Sequence, residues 1–144
     1  EKTNQKQMQN IISLMEKTLG TLASKRITVL GTAFKPNTDD IRDSIAIELI
    51  KKLLKKKSRI IIYDPKAMKN TKGVFGEKII YARSVTEALN KSQCVILMTH
   101  WKQFEKLNNN SIKHMNKKFV IDCRRILVEK ELRAEYHAIG IGKP

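Results

Sequence analysis

The chain has 144 residues, of which 41% are hydrophobic, and its formal net charge is +15. This size allows one ordinary hydrophobic core, and no apolar run reaches the roughly 20 residues that a membrane-spanning helix needs. The N-terminus lacks the apolar centre of a signal peptide, so we expect a cytoplasmic protein without a membrane partner. Its two cysteines are too few for a disulfide framework and too far apart for a metal-binding pair, so we expect free thiols and no metal.

The positive charge is compatible with nucleic-acid binding, because clustered Lys and Arg side chains release counterions from a phosphate backbone. The densest basic run, residues 51–57, falls on the polar face of a predicted helix. Aromatic residues make up only 6% of the chain and do not alternate with the basic ones, so a platform for stacking bases is missing. We therefore rank the binding of a small anion first and keep a basic nucleic-acid-binding module as the alternative.

Apolar residues spaced by three and four predict an amphipathic helix over residues 1–23, whose apolar stripe can serve the core or a partner's helix. No capping residue precedes it, which suggests the end of a longer helix. The following apolar run predicts a strand at 26–31, and a loop then leads to a helix at about 44–57. Either Asp43 or Ser44 can cap that helix.

A second strand is predicted from Arg59 to Tyr63 and ends at Asp64-Pro65, where the proline stops the ladder. After a connection rich in Lys, Asn and Gly, short strands and helices alternate to the end of the chain. The predicted order is a strand at 78–81, a helix from Ser84 with a capping box to Glu87, a strand at 93–98, a polar helical stretch from Trp101, a strand at 119–122, a helix at 129–134 and a last strand at 137–141.

This alternation predicts an α/β fold with a Rossmann-like parallel sheet and helices on both faces, because parallel strands need crossover connections. In such sheets ligands bind outside the carboxyl ends of the strands. Three strand ends therefore matter, at residues 31–35, 63–65 and 122–125. Asp64 is either a turn residue or the acid that a Rossmann strand places against a ribose.

The loop after the first strand, GTAFKPNTDDIRDS at residues 31–44, has two interpretations. It contains neither GxGxxG nor a P-loop motif, so it can be a plain strand-to-helix connection. Alternatively, Lys35 and Arg42 lie at the carboxyl end of that strand, and Arg124 and Arg125 join them from another strand end to bind a diphosphate. The neighbouring pair at residues 39–40 either orients these cations or only caps turns.

The segment LGTAFKPNTDDIRDS resembles LGxAFKxxTDDxRxS, the signature of the C-terminal domain of the UDP-glucose/GDP-mannose dehydrogenase family. Further motifs match that family in order and spacing: YDPKAM, the pattern of Thr99, Trp101 and Phe104, DCRRIL and the closing AIGIGKP. YDPKAM and DCRRIL are most similar to the UDP-glucose 6-dehydrogenase branch. The resemblance covers nearly the whole chain.

The resemblance implies an NAD-dependent oxidation of the C6 alcohol of a UDP-hexose to the carboxylate, with two NAD molecules and a cysteine-bound intermediate. Residues 1–23 would be the end of the central helix that makes a homodimer, and residues 24–144 the C-terminal UDP-sugar-binding domain. The N-terminal NAD-binding domain would be a separate part. The family's catalytic cysteine lies in a Gly-x-Cys-x-Pro-Lys-Asp context that neither Cys94 nor Cys123 shares, so no catalytic residue is expected here and the chain alone should be inactive.

Residue by residue, the resemblance assigns Phe34 and Lys35 to the UDP-sugar, Arg124 to the UDP moiety and Arg42 to NAD. Two positions depart from the family pattern. The family commonly has Gly where Cys123 stands, which puts the local backbone geometry in doubt. It usually carries an acid where His100 stands, which is either surface variation or a change in how this loop meets the other domain.

Overall fold

The computed structural model describes residues 2–140, with side chains from residue 4 onward. Its helices are α1 (Lys2–Leu19), α2 (Ile45–Lys55), α3 (Met68–Phe75), α4 (Val85–Leu89) and α5 (Asn109–Ile112). Its strands are β1 (Arg26–Leu30), β2 (Arg59–Tyr63), β3 (Ile80–Tyr81), β4 (Cys94–Leu97), β5 (Phe119–Asp122) and β6 (Glu135–Ala138). No helix in residues 2–140 is both long and apolar enough to cross a bilayer.

The six strands form one parallel sheet in the order β3-β2-β1-β4-β5-β6. The order reverses between β1 and β4, which is the switch point where ligands bind in open α/β sheets. This confirms the predicted Rossmann-like fold. The strands RITVL, RIIIY, CVIL and FVID are buried almost throughout, as expected when helices cover both faces.

The four central strands, β1, β2, β4 and β5, divide their side chains between two cores. In β1, Ile27 and Val29 belong to the core that contains α1 and α2, whereas Leu30 belongs to the core beneath α4 and α5. The apolar stripe of α1, formed by Met8, Ile11, Ile12 and Met15, is fully buried in the first core. Of the two uses that the sequence allowed for this stripe, the structure shows packing in the core of the same chain.

Two predictions for the irregular connections were wrong. The Lys- and Gly-rich segment after β2 forms helix α3, which buries Thr71 and Phe75. Apolar residues show helical spacing over only one turn of this eight-residue segment, and Gly73 disfavours a helix. The sequence therefore did not predict α3. Residues 129–134 are irregular instead of helical, because the side chain of Asn109 bonds to the backbone of this segment at Glu131 O and Arg133 N, at 3.0 and 2.6 Å.

The caps also differ in detail from the sequence pattern. The Ser84 hydroxyl accepts a bond from Glu87 N at 3.1 Å, as predicted, but the Glu87 carboxylate accepts from Arg83 N and not from Ser84 N. Ser44 occupies the position before α2, yet its hydroxyl donates to Thr32 O at 2.8 Å. It therefore ties the two ends of the loop together. The end predicted for the last strand, residue 141, lies outside the described residues.

Gly31 links β1 to the loop that follows it. Its N–H donates to Tyr63 O at 2.9 Å, and its φ of +94° lies in the region that favours glycine. A Cβ atom added here would lie 2.5 Å from Thr99 Cβ and 2.7 Å from Thr99 N. The loop after β4 thus approaches β1 so closely that only a residue without a side chain fits between them.

We expect Gly31→Ala to lower the free energy of unfolding by about 2–4 kcal/mol, since it combines left-handed strain with overpacking. Gly20→Ala is the matched control, because Gly20 has a φ of +76° but no atom within 4 Å of the added Cβ. That variant should lose only the strain, about 1 kcal/mol. Urea unfolding measures both values, and equal losses would contradict the close approach of Thr99.

Candidate functional site

The loop after β1 is held in place by the carboxylate of Asp64, which is 1% exposed at the end of β2. One oxygen, Oδ2, accepts bonds from the loop and from an indole, and the other, Oδ1, accepts from the turn that follows β2. The donors are Thr32 N (2.8 Å), Ala33 N (3.0 Å), Trp101 Nε1 (3.1 Å), Lys66 N (2.9 Å) and Ala67 N (2.8 Å). Of the two interpretations of Asp64, the structure therefore supports the turn residue. Its carboxylate joins the ends of three strands.

Asp122 performs the same task at the end of β5, where it is fully buried. Its carboxylate accepts bonds from Arg124 N at 3.2 Å, Leu127 N at 2.7 Å and the Tyr136 hydroxyl at 2.6 Å. Burial raises the pKa of Tyr136, and the bond to Asp122 raises it further. Tyr136 comes from β6, so the neighbouring strand fixes the turn that presents Arg124.

Three of the predicted site residues lie together. Phe34, Lys35 and Arg124 line one small recess, together with Pro36, Thr99 and His100. Arg124 is half-buried, and its Nε donates to Met98 O at 2.9 Å, which holds the guanidinium at the rim. The pKa of Arg124 is lowered because burial disfavours its charged form. Cations from the ends of β1 and β5 therefore share one recess.

The recess opens beside a larger cleft of about 660 Å³. Phe34, which is 46% exposed, and Arg124 line both spaces, so they form the boundary between them. The other walls of the cleft are the first turns of α1 and one side of α2, from Ser44 before its first turn to Lys52 in its last. A helix N-terminus favours negative charge, but Asp43 and Glu48 also line the cleft, so the part that suits an anionic ligand is the recess and the adjoining end of the cleft at Arg124.

Arg42 does not join this group. It lines a separate, open recess formed by residues 38–42 and Asn70, and its side chain is 87% exposed. Its guanidinium donates to both carboxylate oxygens of Asp40, with the shortest distance at 2.8 Å. Asp40 thus orients Arg42, and Arg125 lines neither space next to Arg124. The four cations expected around one rim are divided between at least two places.

The two cysteines are buried and free. Burial raises the pKa of the Cys94 thiol well above its usual value and that of Cys123 to about 12, so both are protonated at neutral pH and poor nucleophiles. Cys123 does not have a positive φ, and its small side chain fits the core, so the position does not require glycine. His100 is exposed and bonds to Glu105 at 2.8 Å. Within residues 2–140, no three potential metal ligands come together.

A parallel Rossmann-like sheet with a cationic recess at the carboxyl ends of β1 and β5 defines an α/β domain whose recess suits an anionic ligand. The family model for the UDP-glucose/GDP-mannose dehydrogenase family, UDP binding domain, matches residues 28–129. The chain belongs to this family, which confirms the resemblance seen in the sequence. These matches give no support to the nucleic-acid alternative.

Individual relatives agree with the family assignment. The chain is 30% identical over 142 residues to UDP-glucose 6-dehydrogenase TuaD of Bacillus subtilis, covering 96% of the chain and 31% of the relative. It is 42% identical over 110 residues to UDP-glucose 6-dehydrogenase AglM of Haloferax volcanii, covering 76% and 25%. A solved UDP-glucose dehydrogenase from Pyrobaculum islandicum has a TM-score of 0.81 at 31% identity, covering 96% and 31%. The chain thus spans a quarter to a third of these relatives.

Asp64→Asn should lower the free energy of unfolding by about 2–4 kcal/mol, because one amide oxygen cannot satisfy five donors, four of them buried, and the new NH₂ group faces some of them. Asp39→Asn makes the same chemical change at an exposed position of the loop. We expect that control to stay within about 0.5 kcal/mol of the parent. Urea unfolding of both variants checks the difference, and equal stability would show that the carboxylate is dispensable.

The hydrogen bond from the Arg42 side chain is the main reason why the pKa of Asp40 falls from 3.8 to about 2. The pair therefore contributes its full stability above pH 3.8 and loses it as the pH falls through about 2. Arg42→Ala should raise the pKa of Asp40 toward, but not fully to, its usual value, because the backbone N–H of residue 42 still donates. Carboxyl NMR titration measures this change.

Lys35→Ala is the control for that titration, since the charge of Lys35 is the smallest of the causes that lower the pKa of Asp40. It should move the pKa less than Arg42→Ala does. A larger effect from Lys35 would mean that the two cations share one electrostatic site after all.

Proposed function

We propose that the chain is the UDP-sugar-binding part of a cytoplasmic, NAD-dependent UDP-glucose 6-dehydrogenase, and that it closes the active site over the substrate. The whole enzyme would oxidise the C6 alcohol of a UDP-hexose to the carboxylate. The observation that carries this proposal is that Lys35 and Arg124, from different strand ends, line one recess beside Phe34. The family match and the relatives named UDP-glucose 6-dehydrogenase support it.

The chemistry of each side chain fits its proposed partner. A guanidinium can make two parallel bonds to phosphate oxygens, and partial burial of Arg124 limits screening by water. Its bond to Met98 O holds the group in position before the ligand arrives. Lys35 offers a compact point charge that suits a sugar oxygen, and the exposed ring of Phe34 offers an apolar surface next to it.

Arg42 is proposed to contact NAD, which would supply the hydride acceptor in the whole enzyme. Its exposed guanidinium and its separation from the recess of Arg124 suit a second, different anionic ligand. A diphosphate there would compete with Asp40 for the same N–H donors. No nucleophilic thiol is offered by the buried Cys94 and Cys123, so the cysteine would come from the rest of the enzyme, together with the NAD-binding domain.

We further propose that residues 1–23 end the central dimerisation helix. Because the apolar stripe of α1 is buried in its own core, pairing of two copies has to use the opposite face, which carries Gln5, Gln9, Asn10 and Ser13. Sedimentation of the chain tests this pairing. A monomer at high concentration would oppose it.

Arg124→Ala should weaken the binding of UDP and of UDP-glucose at least tenfold, because a hydrogen bond to a charged group contributes about 1.5–3 kcal/mol. Arg125→Ala is the matched control, since it removes the same charge one residue further along, outside the recess. Calorimetric titration of the chain measures both. Equal affinities for parent and Arg124→Ala would remove Arg124 from the site.

The same titration separates the two functional classes. A nucleotide-sugar domain should bind UDP-glucose more tightly than a short oligonucleotide of equal or greater charge. The reverse order, with indifference to UDP, would reject the proposed function in favour of the nucleic-acid module.

A further inference from the structure

The opposite edge of the sheet carries a separate concentration of positive charge. We use the name amino edge for the four segments that lead into β2, β1, β4 and β5, which are residues 56–59, 22–26, 90–93 and 113–118. These segments contain nine Lys and Arg residues and no Asp or Glu. Lys56 pairs with Glu16 at 3.0 Å, which leaves eight: Lys25, Arg26, Lys57, Arg59, Lys91, Lys113, Lys117 and Lys118. Within residues 2–140, none of these eight forms an ion pair.

Backbone hydrogen bonds hold the four segments side by side. Lys57 O accepts from Ser24 N at 2.9 Å, and Lys25 O accepts from Arg59 N at 2.8 Å. Further along, Lys91 N donates to His114 O at 2.9 Å, and Asn116 N donates to Ser92 O at 2.8 Å. With strands about 4.8 Å apart, four strands place the cations in a row of about 15 Å. Glu135 of β6 borders this row beside Lys117.

The row is costly for the folded chain. Arg26 and Arg59 are direct partners in the parallel register of β1 and β2, and neighbouring like charges repel each other. Elsewhere some exposed cations have a carboxylate partner from their own helix or its border, as in Lys51–Glu48 and Arg83–Glu87, whereas the four amino-edge segments contain no acidic residue. The amino edge therefore keeps a repulsion that a few acidic residues would relieve.

Two of the lysines also occupy backbone conformations that disfavour them. Lys57 and Lys91 have φ values of 69° and 64°, and each directly follows the C-cap residue of a helix, α2 or α4. Glycine is the usual residue at this position. A cation near a helix C-terminus is favourable, but α2 already has Lys52 and Lys55 in its last turn. The sequence thus accepts strain at two places where Gly would relieve it, and both places lie in the row.

We propose that the amino edge binds a linear polyanion without bases, whose phosphate, sulfate or carboxylate groups repeat along a flexible chain. The four segments contain no Phe, Tyr or Trp on which bases could stack. They also lack an apolar anchor for a membrane, because the large hydrophobic residues exposed in the described part of the chain are Phe34, Val74, Ile80 and Val128. A single row of charges matches a linear polyanion better than it matches the flat surface of a membrane.

The amino edge and the recess of Arg124 lie at opposite ends of the same strands. Strands of five residues separate them by about 17 Å. A polyanion bound to the amino edge therefore leaves the recess open. The proposal does not depend on the function proposed above, and it can fail or succeed without affecting it.

The double variant Lys57→Gly/Lys91→Gly tests the proposal, because it removes two cations and the strain at both positions. We expect its stability to equal or exceed that of the parent, whereas its affinity for long-chain polyphosphate should fall at least fivefold in 50 mM salt. The slope of log affinity against log salt should become shallower by about 1.4, the value for two lost contacts to a single-stranded polyanion. Titration of fluorescently labelled polyphosphate measures both quantities.

Lys69→Gln/Lys102→Gln is the matched control, since it removes the same net charge from exposed positions that follow the carboxyl ends of β2 and β4. It should change the affinity less than twofold. An equal loss in both double variants would show that only the total charge matters and would overturn the proposal. Lys117→Gln/Lys118→Gln, at positions without positive φ, repeats the test if the glycine variant is unstable.

Titrations with other anionic ligands test the chemical class of the partner. Tighter binding to a single-stranded oligonucleotide of equal charge, or to vesicles rich in anionic lipid, than to polyphosphate would also overturn the proposal. The affinities for a polyuronate and for polyphosphate, measured side by side, show whether the polyanion carries carboxylate or phosphate groups. Whichever of them binds more tightly, the affinity should depend on Lys57 and Lys91.

Discussion

The geometry of the site depends on one buried carboxylate, that of Asp64. A buried charge is tolerable only when its hydrogen-bonding capacity is filled, and here donors from the loop after β1, the turn after β2 and the indole of Trp101 fill it. Movement of any one of these segments would leave the charge incompletely solvated. The side chains that follow Thr32 and Ala33, namely Phe34 and Lys35, are therefore held at a set distance from the loop after β4.

Asp122 applies the same principle to Arg124, with Tyr136 as a donor from the neighbouring strand. The two aspartates end β2 and β5, on either side of the two central strands, so each half of the recess has its own anchor. The bond from Arg124 Nε to Met98 O adds a third restraint. Because these restraints exist before a ligand arrives, less conformational entropy is lost on binding than with free side chains.

The sequence predicted the sheet well because its central strands are short apolar runs with clear ends, and it predicted the meeting of Lys35 and Arg124 because parallel strands end at a common edge. The positions of the strand ends alone could not predict the separate place of Arg42, which only the family resemblance assigned to a different ligand. Positive φ values at Asn37 and Asp43 turn that part of the loop, and such turns leave no periodic pattern. The bonds of Trp101 and Tyr136 to the two aspartates were likewise missed, because hydrogen bonds between distant residues depend on tertiary packing.

The net charge of the chain does not show that the cations at the two edges of this sheet have different surroundings. At the carboxyl edge, Asp40 bonds directly to the guanidinium of Arg42, and Asp122 bonds to the backbone of Arg124, so these two cations are oriented. Along the amino edge Lys56 pairs with Glu16 and Glu135 borders the row, but within residues 2–140 the other eight cations form no ion pair, so their field is broad and undirected. Oriented charges suit a small ligand of defined shape, whereas a row of unpaired charges attracts any flexible anion long enough to follow it. The net charge of +15 therefore includes two surfaces with different binding properties. They differ in whether carboxylates orient their cations.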